Sequence, residues 1–265
     1  MCIIGALCVQ MTGCVTALPD SLHVAPQQRD DYNWMARHAE VLARHTNVKP
    51  EIVFIGDSIT HQWGGEPKGH RIVGQAVWTD LFGERVVTNL GFGFDYVDNA
   101  YYRVVNGELD GIAPRLIIVN IGTNNLGHRG DSAEACAANV AALLTLIRTK
   151  QPEAKILLLG IYPRREPHLK STIARTNKLL QTLADGKQIR FADIGQTYNV
   201  DSHDSKEGIS FMLLDGTYTV EDSYGNIRHG NWRAERGYPT DVPMPTFYQL
   251  PFRNLVGEKY KNFIA

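Results

Sequence analysis

The chain has 265 residues, of which 43% are hydrophobic and 21% charged, and its 27 basic and 28 acidic side chains leave a net charge of −1. This length can bury one substantial core, and the composition excludes collagen-like, coiled-coil, disordered and multi-span membrane chains. Balanced charge gives no electrostatic reason to expect nucleic acid or an anionic membrane surface as the main partner. Four cysteines, three of them among the first fourteen residues, cannot staple a fold together.

In chain order, residues 1–17 form an apolar stretch too short for a membrane span and of signal-peptide length. Within it Met11-Thr12-Gly13-Cys14 resembles a bacterial lipobox, although no Lys or Arg precedes the run. The expectation is an exported protein, periplasmic or lipid-anchored through Cys14. Cys136, in an Ala-rich helical pattern, is expected to be a buried small hydrophobe.

A helix is expected from Asp31, with Met35, Ala39 and Leu42 on its apolar face. Five short apolar runs follow, at 51–55, 86–90, 116–121, 156–159 and 189–194, each reading as a buried parallel strand. A helix from Ser132 to about Thr149, capped by Ser132, presents Val140, Leu143, Leu144 and Ile147. Another, opened by Ser171 or Thr172, presents Ile173, Asn177, Leu180 and Leu183. This alternation predicts a three-layer α/β/α sandwich around a five-stranded parallel sheet, with the ligand crevice at the carboxyl ends of the strands. Residues 18–224 are assigned to that body. Residues 225–265, punctuated by Pro239, Pro243, Pro245 and Pro251, are expected to form an irregular C-terminal extension.

The strand ends carry the chemistry. After the first strand comes Gly56-Asp57-Ser58-Ile59-Thr60, where the serine hydroxyl can face the crevice and its N–H can meet an oxyanion, or where Asp57 or Ser58 simply caps a helix. After the second comes Asn89-Leu90-Gly91-Phe92-Gly93-Phe94-Asp95, a glycine-rich turn that allows close approach to a ligand or merely connects strand to helix. After the third comes Gly122-Thr123-Asn124-Asn125, which offers a neutral amide donor, or a turn residue.

Together these blocks resemble the SGNH, or GDSL, hydrolase superfamily. The stretches Asn106-Gly107-Glu108-Leu109, Ile121 to Asn125, Gln151 to Ile156 and Gly160-Ile161-Tyr162-Pro163-Arg164 are similar to the branch containing the catalytic subunits of platelet-activating-factor acetylhydrolase, whose exported bacterial relatives often act on acetylated sugars. The resemblance implies a flavodoxin-like sheet and a serine esterase of small acyl, chiefly acetyl, esters. It implies Ser58 as nucleophile, the N–H groups of Ser58 and Phe94 and the amide of Asn124 as the oxyanion hole, and Asp57, Gly93 and Asp95 around the substrate. A small-molecule or glycan ester is the expected partner. No cofactor is implied, and no His/Asp/Glu cluster has metal-ligand spacing.

Two positions depart from the pattern. Where the family has Gly before the aspartate of its second block, this chain has Phe94, which can donate its N–H if the backbone there does not demand positive φ. A ring at that position either narrows an acyl pocket or points into the core. Where the family has Asp-x-x-His, this chain has Asp215-Gly216-Thr217-Tyr218, and tyrosine is a poor base at neutral pH. Asp215 would orient a base supplied by His229, His203 or His61. The alternative is an impaired member of the fold that binds a glycan or a partner.

Overall fold

The structure is a computed structural model that describes residues 17–69, 72, 75–164 and 166–193, together with the backbone of 217–221 and 227–231. Five strands, β1 (Ile52–Gly56), β2 (Val87–Gly91), β3 (Leu116–Asn120), β4 (Lys155–Leu159) and β5 (Ile189–Ala192), form one parallel sheet in the order β2-β1-β3-β4-β5. The sandwich expected from the alternation of apolar runs and helices is therefore present. The first three strands are buried along their whole length, which is why they read as continuous apolar runs.

The helices are α1 (Trp34–Asn47), α2 (Ser58–His61), α3 (Gln75–Phe82), α4 (Val97–Arg103), α5 (Ala133–Lys150) and α6 (Lys170–Gln181). One face of the sheet, with Val53, Ile55, Leu90, Ile117, Val119, Ile156 and Leu158, packs in a single cluster with residues of α1, α4, α5 and α6. On the other face Phe54 meets Trp63, Trp78 and Phe82 at ring separations of 5.4–5.6 Å.

Ser132 caps α5 by accepting the Ala135 N–H at 3.1 Å, and Val140, Leu143, Leu144 and Ile147 are buried as expected. Cys136 is fully buried beneath Gly122, and burial pushes its thiol up to about 12. Two helix readings need correction. α1 begins at Trp34, capped by Asn33, and buries Trp34, Arg37, His38, Val41 and His45, while Met35 is exposed. Polar residues hold the inner face because the edge strand needs them. Arg37 donates to the carbonyls of Gly91 at 2.9 Å and Asn89 at 3.1 Å, which no neighbouring strand satisfies. α6 begins at Lys170 after a 3-10 turn, Pro167–Leu169, so Ser171 and Thr172 lie inside the helix. Proline presets the first turn and makes a hydroxyl cap unnecessary.

Beyond β5, β6 (Thr217–Glu221) and β7 (Ile227–Asn231) form an antiparallel pair, with Tyr218 opposite Gly230 and Thr219 opposite His229. This pair joins residues from either side of the 224/225 junction, where the sequence pattern suggested only an irregular extension. Cys14, His203 and Asp215 lie outside the described residues.

Candidate active site

Parallel register places the three motifs side by side. Gly56 of β1 is level with Gly91 of β2 and with Asn120 of β3, so the chain leaves all three strands at one height. Asp57 caps α2 by accepting the Ile59 N–H at 2.9 Å, and Ser58 follows half-buried as the first residue of that helix. α2 sits hard against the strand ends, since a Cβ on Gly91 would collide with the backbone of Thr60 and His61. Asn89 ties the exit from α2 down, donating to the carbonyls of Thr60 at 2.7 Å and Gly64 at 2.6 Å.

The segment after β2 turns sharply, with the Asp95 N–H donating to the Phe92 carbonyl at 3.2 Å. Phe94, third in this turn, has φ of 62°, alone among the described non-glycine residues in being left-handed. The backbone thus demands the conformation for which glycine is suited, and Phe adopts it at a cost of about 1–2 kcal/mol. Its ring neither enters the core nor is hidden, being 38% exposed. The Arg29 guanidinium lies 4.0 Å from the ring centroid, the His128 ring centroid is 5.1 Å away, and Gln27 Nε2 donates to the Phe94 carbonyl at 3.2 Å. A surface cation–π contact contributes about 0.5–1 kcal/mol and a hydrogen bond about 0.5–1.5 kcal/mol. The two are of the size needed to offset the strain.

Asn124, 4% exposed, donates one amide hydrogen to the Asp95 carbonyl at 2.9 Å, leaving the second for a ligand. This bond fixes the Asn124 amide against the Phe94–Asp95 turn, joining the ends of β2 and β3. The adjacent Asn125 is structural: its Oδ1 accepts the Val97 N–H at the start of α4 at 3.0 Å.

The other candidate residues sit behind this surface. The Asp95 carboxylate, fully buried, accepts from Trp34 Nε1 at 2.6 Å and Arg103 Nε at 2.9 Å. Arg103 also reaches Glu108 at 2.5 Å, and Glu108 meets His38 Nδ1 at 2.8 Å. Burial pushes the Asp95 carboxyl up to about 7, opposed by Arg103 and the Trp34 hydrogen bond. Gly93 spends its N–H on His61 Nδ1 at 3.0 Å, and His61 is only 2% exposed, so that ring nitrogen is committed to bracing the turn. Asp57 lines a small cleft with Asn120, Thr123 and Tyr162, and its carboxyl is pushed up to about 7 by burial.

Sequence reasoning missed Arg29, Trp34, Arg103, Glu108, His128 and Arg164. Arg164 bonds Thr123 Oγ1 at 3.2 Å and Glu166 at 2.6 Å, beside Asn124. Burial and Arg164 lower the His128 pKa, favouring its neutral form. Glu108 and Arg164 lie in stretches that resemble the family but carried no role there, and Arg29, Trp34, Arg103 and His128 carry no local pattern, because they reach the site from different elements. Asp215 is outside the described residues, and of His229 the structure gives the strand position alone. Among the described residues no group of three His, Cys, Asp or Glu side chains could hold a metal ion.

Known proteins resemble this chain in sequence and in fold. The GDSL-like Lipase/Acylhydrolase family matches residues 54–213. Platelet-activating factor acetylhydrolase IB subunit alpha2 of Gallus gallus is 30% identical over 202 residues, covering 76% of this chain and 79% of that protein. Subunit alpha1 of Bos taurus is 31% identical over 198 residues, covering 73% and 74%. Among solved structures, one from Bacteroides fragilis described as an acylhydrolase superposes with a TM-score of 0.55 at 17% identity, covering 88% of this chain and 100% of that one. A structure from Streptococcus pneumonia, described as a platelet activating factor, gives 0.51 at 20% identity, covering 87% and 94%. At these identities the two structures speak for the fold.

Proposed function

The chain belongs to the GDSL-like lipase/acylhydrolase family, and on that premise we propose that it is a serine esterase removing small acyl groups, chiefly acetyl, from a neutral ester such as an acetylated carbohydrate. The observation that carries this reading is the level exit of three adjacent strands into Ser58, Phe94 and Asn124, with Asn124 bonded to the Phe94–Asp95 turn. The names of the acetylhydrolase relatives support acetyl as the acyl group. A net charge of −1 fits a neutral substrate.

In this reading the Ser58 hydroxyl attacks the ester carbonyl. The carbonyl oxygen takes up negative charge and is met by the N–H groups of Ser58 and Phe94 and the free amide hydrogen of Asn124. The tetrahedral intermediate collapses, the alcohol leaves with a proton, and an acyl-serine remains. Water then attacks that acyl group through the same oxyanion hole, returning Ser58 and releasing the acid. The base that takes the serine proton is His229, oriented by Asp215. This choice rests on His229 being the one histidine that follows Asp215 in the chain; in the β6–β7 ladder it pairs with Thr219, whereas Tyr218, where the family pattern has its histidine, pairs with Gly230. His61 is the weaker candidate, since one ring nitrogen is already bonded to the Gly93 N–H.

The second reading, an impaired esterase that binds a glycan, is favoured by Tyr218 itself. Hydrolysis of p-nitrophenyl acetate by the full chain separates them when measured beside Ser58→Ala, His229→Ala and Tyr218→His. The esterase reading expects activity that disappears in both alanine variants. Activity that arises only in Tyr218→His selects the impaired reading, and activity unchanged in Ser58→Ala refutes the nucleophile. Export and lipid attachment at Cys14 belong to the same proposal, and are tested by whether Cys14→Ala releases the expressed protein from a bacterial membrane fraction.

A further inference from the structure

The residues before α1 form a strap that runs along the molecule to the oxyanion turn. Ser21 exchanges hydrogen bonds with Asn139 of α5, Oγ to Oδ1 at 2.7 Å and Nδ2 to the Ser21 carbonyl at 3.2 Å. Leu22 is buried in the main apolar cluster. The His23 N–H then donates to Asp98 at 2.6 Å, and Asn99 Nδ2 donates to the Ala25 carbonyl at 2.9 Å, both on α4. Next come Gln27 on the Phe94 carbonyl and Arg29 over the Phe94 ring. An Asp31 oxygen 2.8 Å from the Arg29 guanidinium helps fix it over that ring.

We propose that this strap is a positioning device for catalysis, in which Gln27 and Arg29 hold Phe94 in its left-handed conformation so that its N–H stays aimed into the oxyanion hole. A glycine at position 94 would adopt this conformation unaided. A phenylalanine left to itself drifts toward negative φ, rotating the peptide that carries the N–H away from the site. The strap grips both ends of the residue, carbonyl and ring. Neither group needs to touch the substrate, so Gln27 and Arg29 act through Phe94. Asn124 holds the following carbonyl, that of Asp95, and the two supports together span the turn.

This inference rests on the esterase reading for its kinetic readout, but it has a structural readout that does not. The test uses the full chain carrying Gln27→Ala and Arg29→Ala together, with and without Phe94→Gly. Outright loss of an oxyanion donor lowers kcat by about 10²–10³, so a loosened donor is expected to lower kcat for p-nitrophenyl acetate about tenfold, with KM nearly unchanged. In the Phe94→Gly background the same two substitutions are expected to change kcat by less than about twofold, because glycine needs no support. Arg29→Lys, which keeps the cation, recovers part of the loss. Independently of activity, amide hydrogen exchange at Asp95, whose N–H closes the turn, is expected to quicken in the strap variant and not in the strap variant built on Phe94→Gly. An equal loss of kcat in both backgrounds, or unchanged Asp95 exchange, overturns the proposal. If hydrolysis does not depend on Ser58, the esterase reading fails while the exchange experiment still decides the strap.

Discussion

The Phe94–Asp95 peptide is held from two sides by opposite kinds of interaction. Below it, Asp95, Arg103 and Glu108 are completely buried and joined in a chain of charged hydrogen bonds that ends on His38. Above it, Phe94 is exposed and held by Gln27 and Arg29, themselves partly solvated. Removing one partner from the lower side destabilises the fold, because a buried charge stripped of its partner is expensive. The upper side contributes little to stability, yet it governs one backbone angle at the site. Interactions of small free energy can matter where a donor must be aimed.

Breaking the lower side should have the largest effect. Arg103→Ala leaves two buried carboxylates without their shared cation and is expected to cost about 3–5 kcal/mol of unfolding free energy in urea. Next comes the link between the strand ends. Asn124→Ala removes both an oxyanion donor and the bond to the Asp95 carbonyl, and is expected to lower kcat about 10²–10³-fold while leaving the urea midpoint comparatively little changed. On the upper side, Phe94→Gly relieves strain of about 1–2 kcal/mol and loses a cation–π contact of about 0.5–1 kcal/mol. A stability within about 1 kcal/mol of the parent is expected. A large loss there would mean that the ring matters to the fold and would erase the contrast between the two sides.

The remaining prediction concerns pH. The folded protein keeps the Asp57 proton to about pH 7, against an ordinary value of 3.8. Between those values the folded state binds more protons than the unfolded chain, so this group lowers stability as pH rises through the window. Asp57→Asn mimics the protonated form and can still accept the Ile59 N–H. Relative to the parent it should gain stability from pH 4 to pH 7 in urea titrations, with no gain below pH 4. A parallel response of the two proteins would place the Asp57 carboxyl in the ordinary range.

Much of the sheet was legible in the sequence because buried parallel strands read as unbroken apolar runs, and those runs end at the blocks whose resemblance to the GDSL hydrolases implied roles for Ser58, Phe94 and Asn124. The inner face of α1 was not legible. Arg37 and His38 look solvated by composition and are buried for reasons set by the strand edge and by Glu108, far away in the chain. The left-handed Phe94 was hidden for a similar reason, since the supports that make it tolerable come from Gln27 and Arg29, more than sixty residues earlier. Local pattern reveals what a segment buries, and long-range partners decide what strain it can hold.

In the proposed hydrolysis the Ser58 hydroxyl is the reacting group. Brief incubation of the full chain with diethyl p-nitrophenyl phosphate, followed by peptide mass spectrometry, tests it directly, because this ester phosphorylates an activated serine and stays attached. A single adduct is expected on the peptide containing Ser58, none in Ser58→Ala, and loss of p-nitrophenyl acetate hydrolysis in step with labelling. Labelling of another residue in step with that loss, or hydrolysis that survives full labelling of Ser58, would contradict it.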